Sequence, residues 1–223
     1  MKSIILFGKG PSVLKCTREI VDQHDEIAIC NYPVLNDFFY SLIKDRTINY
    51  HFANCGTFDK RYTNKVNKKL NIQKIFNTNK GVNNYKNYLK NNTLFQNEDL
   101  YTNIYINYFD KVYNFKPSTG IYALYYLINT NLYNKITLVG FDNFKLGKKV
   151  YYFDILKECC EEWKRCIKAG NYSPNGKLLT KNEHSPEKTK QYLYDSISKY
   201  KNIHFLFITY MKIEKEYANL ALL

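Results

Sequence analysis

Residues able to do chemistry cluster at a few places in the chain. Pro117-Ser118-Thr119-Gly120 sets two hydroxyls and a glycine directly before an apolar run with helical spacing: Ile121, Leu124, Tyr125, Leu127 and Ile128. Ser118 or Thr119 caps that helix, and amides left open in its first turn suit a phosphate or a carboxylate. The run Ile136-Thr137-Leu138-Val139 then reads as a buried strand that ends in Gly140-Phe141-Asp142. Near the amino terminus, Gly8-Lys9-Gly10-Pro11-Ser12 follows another apolar run, and its missing side chains let backbone approach a ligand. Lys9 is not a P-loop lysine, because G-x-x-x-x-G-K-S/T is absent. Asn31 and Asn54 follow two further apolar runs; an amide there offers donor and acceptor to a base, a ribose or a carboxylate, and equally suits a plain turn. His184 lies in the polar stretch Thr180-Lys181-Asn182-Glu183-His184-Ser185-Pro186-Glu187. An imidazole titrating near about 6.5 can take a proton from an attacking hydroxyl, with Glu183 or Glu187 to orient it. A lone loop histidine is also what an exposed, inert side chain looks like. The histidines at 24, 51 and 204 fit no pattern.

The elements that must position these groups alternate. Strands are expected at 3–7, 26–30, 48–53, 72–76, 101–107, 135–139 and 203–208. Helices are expected at 11–21, 34–44, 58–70, 118–131, 153–169, 187–199 and 212–220, the sixth capped by Ser185 with Pro186 at its first position. Short β-branched runs alternating with helical ones argue for an α/β fold with a mostly parallel, doubly wound sheet. In such a sheet ligands bind where strand carboxyl ends meet loops. Gly8, Gly10, Ser12, Asn31, Asn54 and Asp142 all stand just after strands. The stretch 81–98 and the loop 170–185 match no pattern, and loops of that kind carry specificity on a shared scaffold.

Bulk properties bound the rest. With 223 residues, 45% hydrophobic, the chain can bury one sizeable core, and a single domain over 1–223 is expected. The formal charge of +13 implies attraction to polyanions: nucleic acid, an anionic membrane face or a nucleotide-linked donor. No RNA-binding signature accompanies that charge, so no specific nucleic acid is expected. The runs Lys65 to Lys69 and Lys145 to Lys149 read as solvated faces. Six cysteines, at 16, 30, 55, 159, 160 and 166, lack paired metal or redox spacing and read as reduced thiols. Ile4 to Phe7 is too short for a signal segment, and no apolar stretch reaches membrane-spanning length, so a cytoplasmic protein is expected, with at most a peripheral contact to an anionic membrane. No Asp-x-Asp pair suited to Mg²⁺ or Mn²⁺ is found; Asp142 and Asp154 are single acids, and neither a metal site nor a cofactor is expected.

The segment Lys116 to Asp142 resembles motif S of the sialyltransferases of glycosyltransferase family 29, in which a Pro-Ser-Thr-Gly helix leads to a strand ending in Gly-Phe. Asp25-Glu26-Ile27-Ala28-Ile29-Cys30-Asn31-Tyr32-Pro33 is similar to the end of their motif L. Family 42, a set of bacterial sialyltransferases, shares the skeleton: G-x-G-P-S, a Cys-Asn pair, a Thr/Ser-Gly helix start and a later His-Ser, here His184-Ser185. The matches run as islands from Lys2 to about Glu187. The resemblance implies a Rossmann-like, GT-A-like fold and an inverting, metal-independent transfer of sialic acid from CMP-sialic acid to a glycan or glycolipid hydroxyl. It implies that Gly8, Gly10, Ser12, Asn31, Asn54, Ser118, Thr119, Gly120 and Asp142 bind the donor, that Lys116 stands where the acceptor is gripped by an arginine, and that His184 is the base. Two tyrosines would donate to the departing phosphate; the first position is Phe144 here, and the second falls at Tyr151 or Tyr152. The motif S cysteine of the animal enzymes, half of a disulfide, would align with Tyr133, which fits a reducing compartment. The departures at Lys116 and Phe144 leave open a related transferase using another nucleotide-linked donor, or a non-catalytic nucleotide or nucleic-acid binder.

Overall fold

The computed structural model describes residues 1–31, 36–53, 69–78, 100–142 and 185–223. In chain order they form β1 (Lys2–Phe7), a 3₁₀ turn (Pro11–Lys15), α1 (Arg18–Asp22), β2 (Glu26–Cys30), α2 (Asp37–Ile43), β3 (Ile48–Ala53) and β4 (Ile72–Asn77). A π-helical segment (Tyr101–Phe109) runs into α3 (Asp110–Tyr113), followed by α4 (Thr119–Asn129), β5 (Tyr133–Val139), α5 (Pro186–Lys199), β6 (His204–Ile208) and β7 (Leu220–Leu222). The seven strands make one sheet in the order β4-β3-β2-β1-β5-β6-β7, and every neighbouring pair is parallel. The chain reverses its winding between β1 and β5, which is where a doubly wound sheet opens a crevice at its carboxyl edge.

Central strands covered on both faces must be apolar throughout rather than alternating. β1 obeys this, with Ile4, Ile5, Leu6 and Phe7 all buried. Ile5, Phe7, Ile27, Ile29 and Val139 pack with Val13, Val21, Phe39 and Leu42 on one face. Ile4, Leu6, Ala28, Ile136 and Leu138 pack on the other with Ile121, Leu124 and Leu127 of α4 and Leu193 and Ile197 of α5. Each aliphatic side chain so removed from water contributes about 2 kcal/mol.

Three expected elements take another form. The helix expected over 11–21 is broken: Cys16 and Thr17 are extended, so a 3₁₀ turn and a separate short helix replace it. The strand expected over 101–107 is π-helical, because its buried residues, Ile104 and Phe109, stand five apart while Ile106 between them is exposed. The helix expected over 212–220 does not form. Asn219, buried there, donates from its amide to the carbonyls of Ile197, Tyr200 and Ile203, and its own carbonyl accepts from Phe205 N, which lays Leu220–Leu222 beside β6 as the edge strand. Most of the helix expected over 58–70, all of 153–169, and the stretch 81–98 lie outside the described residues.

Candidate active site

The turn after β1 and the turn after β5 touch backbone to backbone. Gly8 N donates to Val139 O at 2.7 Å and Gly10 N to Gly140 O at 2.9 Å. A Cβ on Gly8 would meet Gly140 O at 2.6 Å, and one on Gly10 would meet Asp142 Oδ2 at 2.2 Å. Gly140 itself turns at φ +75°, a region that favours glycine. These glycines therefore make room for protein backbone as well as for any ligand.

Ser12 and Asp142, both buried, complete this junction. Ser12 Oγ donates to Ile208 O at 2.8 Å and accepts from Gly140 N at 3.2 Å. Asp142 Oδ2 accepts from Ser12 N at 2.8 Å, and Oδ1 accepts from Tyr210 N at 2.7 Å with the Thr209 hydroxyl 3.1 Å away. Both side chains, expected to touch a donor, have their polar atoms on protein groups, and what they do in this geometry is join the turns after β1, β5 and β6.

A second group of polar side chains gathers over β2, β3 and β4. Asn31, directly after β2, takes a left-handed φ of 56°. Its N donates to Phe52 O at 2.6 Å, and its Oδ1 accepts from Thr119 Oγ1 at 3.2 Å. Thr78, directly after β4, lies with its hydroxyl 3.3 Å from that of Thr119. Thr119 is the first residue of α4 and is half-buried, as is Ser118, the cap residue, whose hydroxyl makes no bond to the helix amides. Gly120 sits under the ring of Phe141, where a Cβ would approach to 2.7 Å, so the helix start is seated on the end of β5. Lys116, half-buried, leads into this start. Thus two segments that the sequence separates by 88 positions meet through Asn31 and Thr119 at one end of the sheet.

Beneath this floor, His51 is fully buried and its Nε2 lies 2.7 Å from Asn31 O. Burial pushes its imidazole down to about 4, against the pull of the Asn31 carbonyl and with help from the charge of Lys9. Burial also pushes the Cys30 thiol up, so it is not a nucleophile in the resting protein. Asn54, Phe144, Tyr151, Tyr152 and His184 lie outside the described residues. Next to His184, Ser185 caps α5, accepting from Lys188 N, with Pro186 at the first position as expected. Lys188 Nζ reaches Asn114 O at 2.7 Å, which ties the start of α5 to the strand of chain entering α4. Sequence reasoning did not find His51, Thr78 or Thr209. A histidine inside an expected strand, flanked by aromatics in Tyr50-His51-Phe52, and a threonine directly after a strand were the signals available. Among the described residues no group of three His, Cys, Asp or Glu side chains could hold a metal ion, and no helix is long and apolar enough to cross a membrane.

No protein-family model matches the chain, and no curated protein matches it in sequence. Solved structures do. The fold matches that of the sialyltransferase CstII. CstII from Campylobacter jejuni in complex with cytidine-5'-monophosphate aligns with a TM-score of 0.60 at 18% identity, over 94% of this chain and 80% of that one. The same enzyme with the substrate analogue CMP-3FNeuAc gives 0.56 at 20% identity, over 93% and 81%. Monomeric CstII gives 0.53 at 16% identity, over 100% and 95%. At such identities the likeness to CstII is one of fold.

Proposed function

We propose that residues 1–223 form one nucleotide-sugar-binding unit that acts as an inverting, metal-independent glycosyltransferase, moving sialic acid from CMP-sialic acid to a sugar hydroxyl of a glycan or glycolipid. The observation that carries this reading is the meeting of Asn31 with Thr119. The two segments that resemble the sialyltransferase motifs converge at the carboxyl edge of a sheet whose fold matches an enzyme solved with CMP.

In this reading Gly8 and Gly10 shape the turn, and Asn31, Asn54, Ser118, Thr119 and Gly120 receive the nucleotide, with hydroxyls, amides and the α4 amino end as donors. Ser12 and Asp142 support donor binding by fixing the turns. His184 takes the proton of the acceptor hydroxyl as that oxygen attacks the anomeric carbon. The bond to the phosphate oxygen breaks in the same displacement, and CMP leaves with the electron pair, with Tyr151 or Tyr152 donating to its phosphate. A monophosphate leaving group carries less charge than a diphosphate, so cationic and hydroxyl side chains suffice to receive it. Lys116 faces the acceptor, Phe144 removes one phosphate donor, and a basic surface of net charge +13 suits a peripheral anionic membrane.

The decisive measurement is a thermal-shift panel of CMP, UDP, GDP, AMP and a short oligonucleotide, each with and without EDTA. Binding at about a hundred times the dissociation constant adds about 2.7 kcal/mol of stability. A shift with CMP alone, unchanged by EDTA, is expected; a shift only with the oligonucleotide or another nucleotide overturns the donor assignment. His184→Ala should then lower turnover of CMP-sialic acid by about a hundredfold or more while leaving CMP affinity within about twofold. Equal turnover in that variant removes His184 from the chemistry.

A further inference from the structure

No motif and no charge pattern singles out His51, yet the sheet treats it unusually. In the register it lies beside Ile29 of β2 and Ile75 of β4, both buried. An aliphatic side chain would fill such a position without a polar group to satisfy, since a buried polar ring is stable only when hydrogen-bonded. His51 Nε2 lies 2.7 Å from the carbonyl oxygen of Asn31. A carbonyl oxygen only accepts, so Nε2 carries the proton and the ring is the Nε2–H tautomer. Lys9 by its charge and the Asn31 carbonyl by its hydrogen bond both act on this ring, which burial already holds neutral.

Asn31 is what this bond acts upon. Left-handed backbone is uncommon outside glycine; asparagine is among the residues that adopt it most readily, and bonds from neighbours then decide how firmly it is held there. Here both backbone groups of Asn31 are tied to β3, its N–H to Phe52 O and its carbonyl to His51. With the backbone fixed, the side-chain oxygen is set toward Thr119, and through Thr119 the hydroxyl of Thr78 joins the set.

We propose that His51 is a positioning residue for the donor nucleotide: by holding Asn31 in its left-handed turn it presets the Asn31, Thr119 and Thr78 polar floor on which the nucleotide rests. The proposal builds on the reading of this edge as the donor site. A preset floor avoids ordering these groups at the moment of binding, which is how preorganisation adds affinity. His51 touches no substrate; it acts through Asn31.

The test compares the unmutated protein with His51→Leu, which fills the cavity without a donor, and His51→Gln, whose amide nitrogen can reach where Nε2 does. Three readouts separate the outcomes. In the unmutated protein, ¹⁵N NMR of the imidazole should show a neutral Nε2–H tautomer well below pH 6; an Nδ1–H tautomer, or titration near the ordinary value, overturns the proposal. Hydrogen exchange at the amides of Asn31 and of the first turn of α4 should quicken about tenfold in His51→Leu and return in His51→Gln; unchanged protection in His51→Leu overturns it. CMP affinity should fall about tenfold in His51→Leu and recover in His51→Gln. Equal CMP affinity in all three proteins, with only thermal stability altered, makes His51 a core residue and overturns the proposal. If the unmutated protein binds no CMP, the donor reading fails, while the tautomer and exchange results still decide whether His51 sets Asn31.

Discussion

At the scale of single residues, the junction of β1, β5 and β6 is the most tightly constrained part of the site. Gly10 is the clearest case. A methyl there would fall 2.2 Å from Asp142 Oδ2 and 2.7 Å from Gly140 O. Neither neighbour can yield, because the carboxylate is held by Ser12 N and Tyr210 N and the carbonyl already accepts from Gly10 N. Gly10→Ala should therefore lose about 3 kcal/mol of stability, as overpacking against fixed groups does. Urea unfolding measures it; a change below about 0.5 kcal/mol would mean the turns separate easily. The glycines were legible in the sequence as a turn after a strand. What was not legible is that Ser12 and Asp142 face each other, because the partners stand 130 positions apart and a serine at a turn carries no sign of its acceptor. A shorter separation, 20 positions, hid His51, whose part becomes visible only once β3 is laid beside the end of β2.

At the scale of elements, local patterns told most where a segment satisfies itself and least where its partner is remote. The start of α4 was readable because its helical apolar spacing begins directly after Pro-Ser-Thr-Gly, although the Ser118 hydroxyl bonds no helix amide, and the Ser-Pro start of α5 because capping chemistry is local. The β-branched strands were readable to within about two residues for the same reason. Residues 212–220 misled because their apolar spacing suits a helix, while Asn219 gains more from the carbonyls at the end of α5. That amide anchors the chain where it enters the edge strand, beside the backbone pairing of β6 with β7. Asn219→Ala would leave the carbonyls of Ile197 and Ile203 without this donor and should cost about 2 kcal/mol. Hydrogen exchange should show the loss first in β7 and at the end of α5; uniform destabilisation without local opening would mean β7 is held by its side chains instead.

At the scale of the whole molecule, alternation of strands and helices predicted the winding, and the reversal between β1 and β5 is where a sheet of this kind opens a crevice at its carboxyl edge. The same winding buries two histidines at opposite ends of the sheet, and this makes stability depend on pH. His51 lies under the carboxyl edge; His24, just before β2, bonds to Ile20 O and the Thr137 hydroxyl. Burial depresses both imidazoles below their ordinary value. A depressed histidine binds its proton more readily in the unfolded chain, so stability is complete above about 6.5 and is lost as pH falls toward the folded value. For His51 that window runs from 6.5 down to about 4, and the shift corresponds to about 3 kcal/mol. Exposed carboxylates held low by their partners, Asp22 by Arg18 and Asp25 by Ser3, act in a separate window at lower pH. The expected result is a urea midpoint that falls steadily from about pH 6.5, well before carboxylates protonate, with a shallower fall in His51→Gln. A midpoint constant down to about pH 4 would mean that the imidazoles reach water without unfolding, and the rigid floor beneath Asn31 would have to be abandoned with them.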